Sequence, residues 1–294
     1  MESLYNLAII RHSSGKKLSR RQVMRDHEFF KQFRVVLFRK EIFINDKSRF
    51  PFVFASCGFD DTIKSLNLIN EYCGDDKILC HGGYDSFKKK YYNNVDVLKH
   101  HFKKVFFEHY KYNDDYIKVL PQAFNYRYLK TFNKKIFGDL VDSSFNVQKD
   151  KLIGTAFGKR WPKLSKRLID RISLLEAIEH SGLIENFYCD VSEYHLEKSR
   201  YLYFACPRGA GLQSTKLYES FMCETVPILT DAPYARQLRD YHNLPILIVD
   251  NWENISVDYL IEIYEKNYKN YDWKSLKRKF YIDNFIDEFI IKNN

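Results

Sequence analysis

Glycine and proline are scarce in this chain, at 11 and 7 of 294 residues, which excludes collagen-like, linker-dominated and low-complexity classes. The six cysteines (Cys57, Cys73, Cys80, Cys189, Cys206 and Cys223) form no Cys-x-x-Cys pair and share no zinc-like spacing with histidine. They read as buried, reduced thiols. Long apolar runs are also missing. The most conspicuous uncharged stretch, Phe50 to Phe59, is ten residues, against the ~20 that a membrane span needs. Met1 to Arg11 lacks a basic leader followed by a long apolar stretch and a small-residue cleavage site. The expectation is a soluble protein of a reducing compartment, without a membrane span.

What is present is a large apolar and aromatic fraction, 45% and 17%, with 24 Phe and 22 Tyr. A chain of this length favours two domains and can bury a substantial core. The net charge of +9 points to an anionic partner. Nucleic acid, a nucleoside diphosphate and an acidic membrane face all fit, and only the location of the basic residues separates them.

Short apolar runs recur at Leu7 to Ile10, Val35 to Phe38, Phe52 to Ala55, Lys77 to Cys80, Val105 to Phe107 and Ile117 to Leu120. Between them lie helical stretches such as Asp61 to Tyr72, apolar at Ile63, Leu66 and Ile69. This alternation predicts βα units and a mainly parallel sheet. A polar stretch from Asp142 to Lys151 interrupts the pattern, and a second series begins with Leu152-Ile-Gly-Thr-Ala156. It continues through a helix at Lys163 to Ser181 and strands near Phe187 to Cys189, Tyr201 to Ala205, Val226 to Leu229 and Ile246 to Val249. Two α/β domains are therefore expected, 1–145 and 146–294. The tail from Trp273, with Leu276 and Phe280 at helical spacing, reads as an amphipathic helix packed on one of them.

The stretch from Tyr201 to Asp231 reads strand, glycine loop, helix, strand. Gly209 and Gly211 let the backbone approach a ligand. The helix beginning near Ser214 and Thr215 aims unpaired N–H groups and its positive end at the same space, which suits a phosphate or diphosphate. Arg208 and Lys216 add full positive charges. Glu219, one turn further on, can accept both hydroxyls of a ribose. A strand, a glycine turn and a capped helix also occur in α/β folds that bind nothing there.

The string Cys206-Pro-Arg-Gly209, Ser214-Thr-Lys-Leu-Tyr-Glu-Ser-Phe221 and Val226-Pro-Ile-Leu-Thr-Asp231 resembles the exostosin-type glycosyltransferase motif, in the compact form found in enzymes of large algal viruses. The resemblance covers Thr155 to Asp250 and is only topological over the first half. The family's usual Arg in the helix is Lys216 here, and its usual Gly before the Val-Pro strand is Glu224-Thr225. The resemblance implies a GT-B fold: two Rossmann-like domains facing across a cleft, the C-terminal one holding a nucleotide-sugar and the N-terminal one the acceptor. With the reduced cysteines, the expected location is the cytoplasm, the host cytoplasm if the chain is viral.

A second cationic element, Gly154-Thr-Ala-Phe-Gly-Lys-Arg-Trp161, follows the first strand of the second domain, where ligands of open α/β sheets collect. Lys159 and Arg160 are candidates to clamp the diphosphate; the bland reading is a solvated basic turn. Asp190 is a weaker candidate to edge a nucleobase pocket. No Asp-x-Asp occurs anywhere, so the metal-bridging motif of the other large glycosyltransferase fold is missing. The expectation is metal-independent transfer with no cofactor beyond the nucleotide-sugar.

An inverting transfer needs a base for the acceptor hydroxyl. Candidates at carboxyl ends of predicted strands are Asp60 and Asp61, then His12, then His81 with Asp85. Asp60 or Asp61 can equally be a helix N-cap. The leading expectation is an inverting transferase moving a sugar from a uridine diphosphate donor, xylose as a guess, to a hydroxyl of an oligosaccharide or glycoprotein glycan. The competing readings are a basic nucleic-acid-binding protein, with Tyr and Phe stacking on bases, and a catalytically inactive sugar-binding member of the fold.

Overall fold

The computed structural model describes residues 28–38, 41–56, 59–82, 95–121, 147–156, 169–190, 193–208, 212–280 and 282–292. They group into two compact units, one drawn from 1–126 together with 281–294, the other from 127–280. Each unit is built on its own mostly parallel sheet.

In the first unit, α1 (Glu28–Lys31) leads into β1 (Phe33–Phe38), β2 (Glu41–Ile44) and β3 (Phe50–Ser56). Then follow α2 (Phe59–Lys64), α3 (Leu66–Cys73), β4 (Ile78–His81), α4 (Val95–His101), β5 (Lys104–Phe107) and β6 (Ile117–Val119). The strand order is β2-β1-β3-β4-β5-β6, with only β2 antiparallel. Register explains why the short apolar runs were legible as strands. Val35, Val53, Leu79, Val105 and Ile117 are cross-strand partners in one row, and all five are fully buried. At ~1.5 to 3 kcal/mol per buried aliphatic side chain, that row alone contributes on the order of 10 kcal/mol before chain entropy opposes it.

Two expectations need correction in this unit. The helix over Asp61 to Tyr72 is two helices, α2 and α3. Ser65 separates them: its N–H bonds Thr62 O at 3.1 Å and its hydroxyl turns back to Asp61 O at 2.9 Å. Strand β2 was not foreseen. It is a four-residue edge strand carrying Glu41 and an exposed Ile42, too short and too mixed to stand out. The strand expected at Leu7 to Ile10 lies outside the described residues.

The second unit runs β7 (Lys151–Thr155), α5 (Ile169–Ser181), β8 (Ile184–Asn186), α6 (Tyr194–Ser199) and β9 (Tyr201–Ala205). It continues with α7 (Thr215–Met222), β10 (Val226–Thr230), α8 (Pro233–Arg236), β11 (Leu247–Val249), α9 (Val257–Ile263) and α10 (Trp273–Lys279). Its sheet is wholly parallel, in the order β11-β10-β9-β7-β8. The chain adds β8 on one side of β7, then returns to add β9, β10 and β11 on the other. That reversal makes a topological switch point between β7 and β9. The last helix, α11 (Ile282–Ile286), groups with the first unit, where Asp287 in the turn beyond it pairs with Arg49 at 2.9 Å.

The strand expected at Phe187 to Cys189 is displaced. The ladder to β7 is made by Ile184–Asn186 and ends as Phe187 N–H bonds Thr155 O at 3.0 Å. The Phe187 ring then stacks on Tyr201 at 5.4 Å, while Tyr188 and Cys189 are exposed. The aromatic signal came from a plug over the sheet and not from the strand.

Gly154 in β7 is required by close approach. A Cβ there would sit 2.8 Å from the Tyr201 ring on the neighbouring strand. Gly154→Ala should therefore destabilise the second unit by about 1 to 3 kcal/mol, read as a lowered denaturation midpoint with an unchanged slope. Tyr201→Leu in the same chain should recover part of the loss.

Candidate functional site

The switch point brings together the carboxyl ends of β7 and β9. The Thr155 hydroxyl donates to Ala205 O at 3.0 Å, tying the two ends side by side. Cys206 N–H still bonds Ile228 O at 3.0 Å, so the ladder holds up to the residue before Pro207 and Arg208. In open α/β sheets a crevice forms here because the connections leave β7 and β9 in opposite directions. Both cationic elements singled out in the sequence follow these two strands. Lys159 and Arg160 of the first, and Gly209 and Gly211 of the second, lie outside the described residues, as does His12.

Arg208 is held from below. Its N–H donates to Asp170 Oδ2 at 2.6 Å, its Nε is 3.8 Å from the same oxygen, and its carbonyl accepts from Arg171 Nε at 3.2 Å. Asp170 Oδ1 receives Trp252 Nε1 at 2.9 Å and the Thr230 hydroxyl at 3.1 Å. A single carboxylate, 5% exposed, thus gathers the end of β9, the end of β10 and the segment after β11. The sequence reading missed Asp170, because a helix begun at Lys163 makes it look like an ordinary mid-helix residue.

Helix α7 starts as expected. Ser214 is its N-cap, with extended backbone and a side chain that accepts from Lys216 N–H at 3.3 Å. Thr215 is the first helical residue and half-buried. The Lys216 ammonium lies 5.9 Å from the Tyr194 ring. Burial pushes its pKa down to about 8, with nearby Glu219 opposing and Lys198 reinforcing the shift. Lys198 is fully buried; its ammonium donates to Lys216 O at 2.8 Å and rests 3.9 Å over the Phe204 ring. Lys198 was not singled out in the sequence.

Glu219 is 2% exposed. Tyr194 OH donates to its Oε2 at 3.3 Å, and its Oε1 has no hydrogen-bond partner among the described residues. A buried carboxylate oxygen left without a donor is costly, at ~1 to 3 kcal/mol. Arg171, Lys198, Arg208 and Lys216 are set here against Asp170 and Glu219. Around the Arg208 loop and the start of α7 cations therefore outnumber carboxylates, which favours an anion there; Asp231, at the end of β10, is taken up by Arg236.

The Gly position noted before the Val-Pro strand also has a physical reading. Glu224 adopts a φ of 55°, the left-handed region that glycine enters without strain. Its carboxylate is taken by buried Lys277 at 2.7 Å, which offsets the conformational cost.

In the first unit, Asp60 and Asp61 both fall in the first turn of α2, Asp60 exposed and Asp61 half-exposed. His81 is 1% exposed and stacks on Phe107 at 4.4 Å within the core. Two residues that sequence reading passed over, Glu108 and His109, are buried directly after β5. Asp85 lies outside the described residues, and Asp190 is exposed after β8, its carbonyl accepting from Glu193 N–H at 3.0 Å. Among the described residues no three His, Cys, Asp or Glu side chains converge as a metal site requires, and no helix is long and apolar enough to cross a membrane. No family model matches the chain, and no curated protein matches it.

Proposed function

We propose that this chain is a glycosyltransferase that moves a sugar from a nucleoside diphosphate, uridine diphosphate by preference, onto a hydroxyl of a glycan. The observation that carries the reading is the coincidence of the β7/β9 switch point with the Arg208 loop and the Ser214-capped helix α7. Sequence and topology single out this place by unrelated arguments. Arg208, Lys216 and the α7 amides would take the diphosphate, with Lys159 and Arg160 as further cations. Glu219 would accept from the ribose, which gives its spare Oε1 a partner.

In the inverting form, a base takes the acceptor hydroxyl's proton as that oxygen bonds the anomeric carbon. The bond from the anomeric carbon to the diphosphate oxygen breaks, and its electron pair stays on the diphosphate. The positive side chains and the helix end stabilise that charge, so the reading needs no metal. Asp60 and Asp61 are the leading base candidates by the family resemblance.

A thermal-shift panel of nucleoside diphosphates, nucleotide-sugars and short oligonucleotides tests this. At a hundredfold excess over Kd a ligand contributes about 2.7 kcal/mol, which raises the melting temperature by roughly 5 to 10 °C. We expect that rise with uridine diphosphate, and an affinity about tenfold weaker in Glu219→Ala. No response to any nucleoside diphosphate, together with oligonucleotide binding whose log-log salt slope is several units, would favour the nucleic-acid reading instead.

A further inference from the structure

We infer that Asp170 and Arg171, in the first turn of α5, form a backbone clamp on Arg208, and that Asp170 is the positioning residue that aims the Arg208 guanidinium at an anionic ligand. The inference rests on the proposed role of Arg208 in holding a diphosphate.

Both polar groups of the Arg208 main chain are taken by two side chains adjacent in sequence: its N–H by Asp170 at 2.6 Å and its carbonyl by Arg171 at 3.2 Å. A loop residue held at both its N–H and its C=O has little backbone freedom left. The side chain is treated differently. Asp170 Oδ2 lies 3.8 Å from Nε, and the side chain is 40% exposed. Among the described residues the guanidinium makes no other ion pair. One edge of the fork is thus oriented by charge, while the rest is left for a ligand.

The site also requires a carboxylate. Arg208 N–H and Trp252 Nε1–H are donors that cannot reverse, and they meet different oxygens of Asp170. An asparagine would set its NH2 against one of them in either orientation. Thr230 shares Oδ1 with the indole, so the carboxylate is fixed from β10 and from beyond β11 before it acts on Arg208. The arrangement amounts to a supporting shell that prepays the ordering of a ligand-gripping arginine.

The test is a double-mutant cycle read by calorimetric binding of uridine diphosphate, at a temperature where circular dichroism shows each variant folded. Asp170→Asn should weaken binding at least tenfold. Asp170→Asn/Arg208→Ala should bind no more weakly than Arg208→Ala alone, because the effect passes through Arg208. Thr230→Val loosens the carboxylate while keeping its charge and serves if Asp170→Asn does not fold; it should cost about threefold, and nothing on the Arg208→Ala background. Losses that add, or a lowered melting temperature with affinity unchanged within twofold, would make Asp170 a structural staple and overturn the inference. A ligand-free readout separates this from the nucleotide reading. In the apo protein the Arg208 backbone N–H, bonded to Asp170 at 2.6 Å, should give an exchange-protected NMR signal that Asp170→Asn, or Thr230→Val in its place, removes or weakens. If uridine diphosphate does not bind the wild type, the nucleotide reading falls, and a signal that persists unchanged overturns the clamp as well.

Discussion

Lys149→Met should lower the melting temperature of the protein by roughly 5 to 15 °C. The Lys149 ammonium donates to Ser199 O at 3.0 Å, Tyr201 O at 3.1 Å and the Thr225 hydroxyl at 3.3 Å. It joins the turn before β9 to the turn after α7. The Thr225 hydroxyl is within reach of Tyr201 O and Cys223 O as well as Lys198 O, yet it has one proton and cannot serve them all. Methionine keeps the stem and supplies no donor. Leaving two or three part-buried acceptors unmet costs ~2 to 4 kcal/mol, at ~2 to 4 °C per kcal/mol for a unit of this size.

The effect also has a signed pH dependence. Burial pushes the Lys149 ammonium down to about 8, below its value near 10.4 in an unfolded chain. Between those values the unfolded state holds more protons, so this group adds stability as pH rises from about 8 to 10.4. The gap between wild type and Lys149→Met should widen across that window. Equal melting temperatures at pH 7 would show that the ammonium ties nothing together.

Uridine diphosphate should bind about fourfold more weakly at pH 8.5 than at pH 7, and in Lys216→Met the affinity should be low, by roughly a hundredfold, and nearly flat with pH. Burial holds the Lys216 ammonium at about 8, helped by Lys198 and resisted by Glu219, with Cys206 and Arg171 also near. A diphosphate is fully ionised above pH 7, since its last proton leaves near pH 6. The uracil imide also keeps its proton up to pH 8.5, so the change in binding over this range reports the protein's own charge. The sign for the empty protein is the opposite: Lys216 is depressed in the fold, so its contribution to stability rises from about pH 8 upward. The Lys216 contributions to ligand affinity and to apo stability should move in opposite directions over one window, the second read as the difference in stability between wild type and Lys216→Met. Lys216→Arg, which stays charged, should bind equally well at both pH values. An affinity that stays constant in the wild type would place Lys216 away from the anion.

The parts of this fold that were readable in advance are those with a local cause. β1, β3 to β7 and β9 to β11 are short apolar runs because both faces of a parallel sheet are covered, and such runs need no partner to be seen. The Ser214 cap and α7 were readable because a cap is a relation between residues two or three apart. Phe187 misled because an aromatic plug and a strand residue look alike in composition. β2 escaped because an edge strand of four residues carries too few apolar positions to show a period.

The sequence by itself determined that there would be two α/β units, and that Arg208 would precede a capped helix with Lys216 in its first turn. Only the tertiary structure decided the strand order, and with it the switch point between β7 and β9. It also decided that Asp170 would meet Arg208, Thr230 and Trp252, respectively 38, 60 and 82 residues away. The reason is physical. Burial and capping act within a turn or a strand and leave a period in the chain, whereas a buried carboxylate is satisfied by whichever donors the sheet order brings to it.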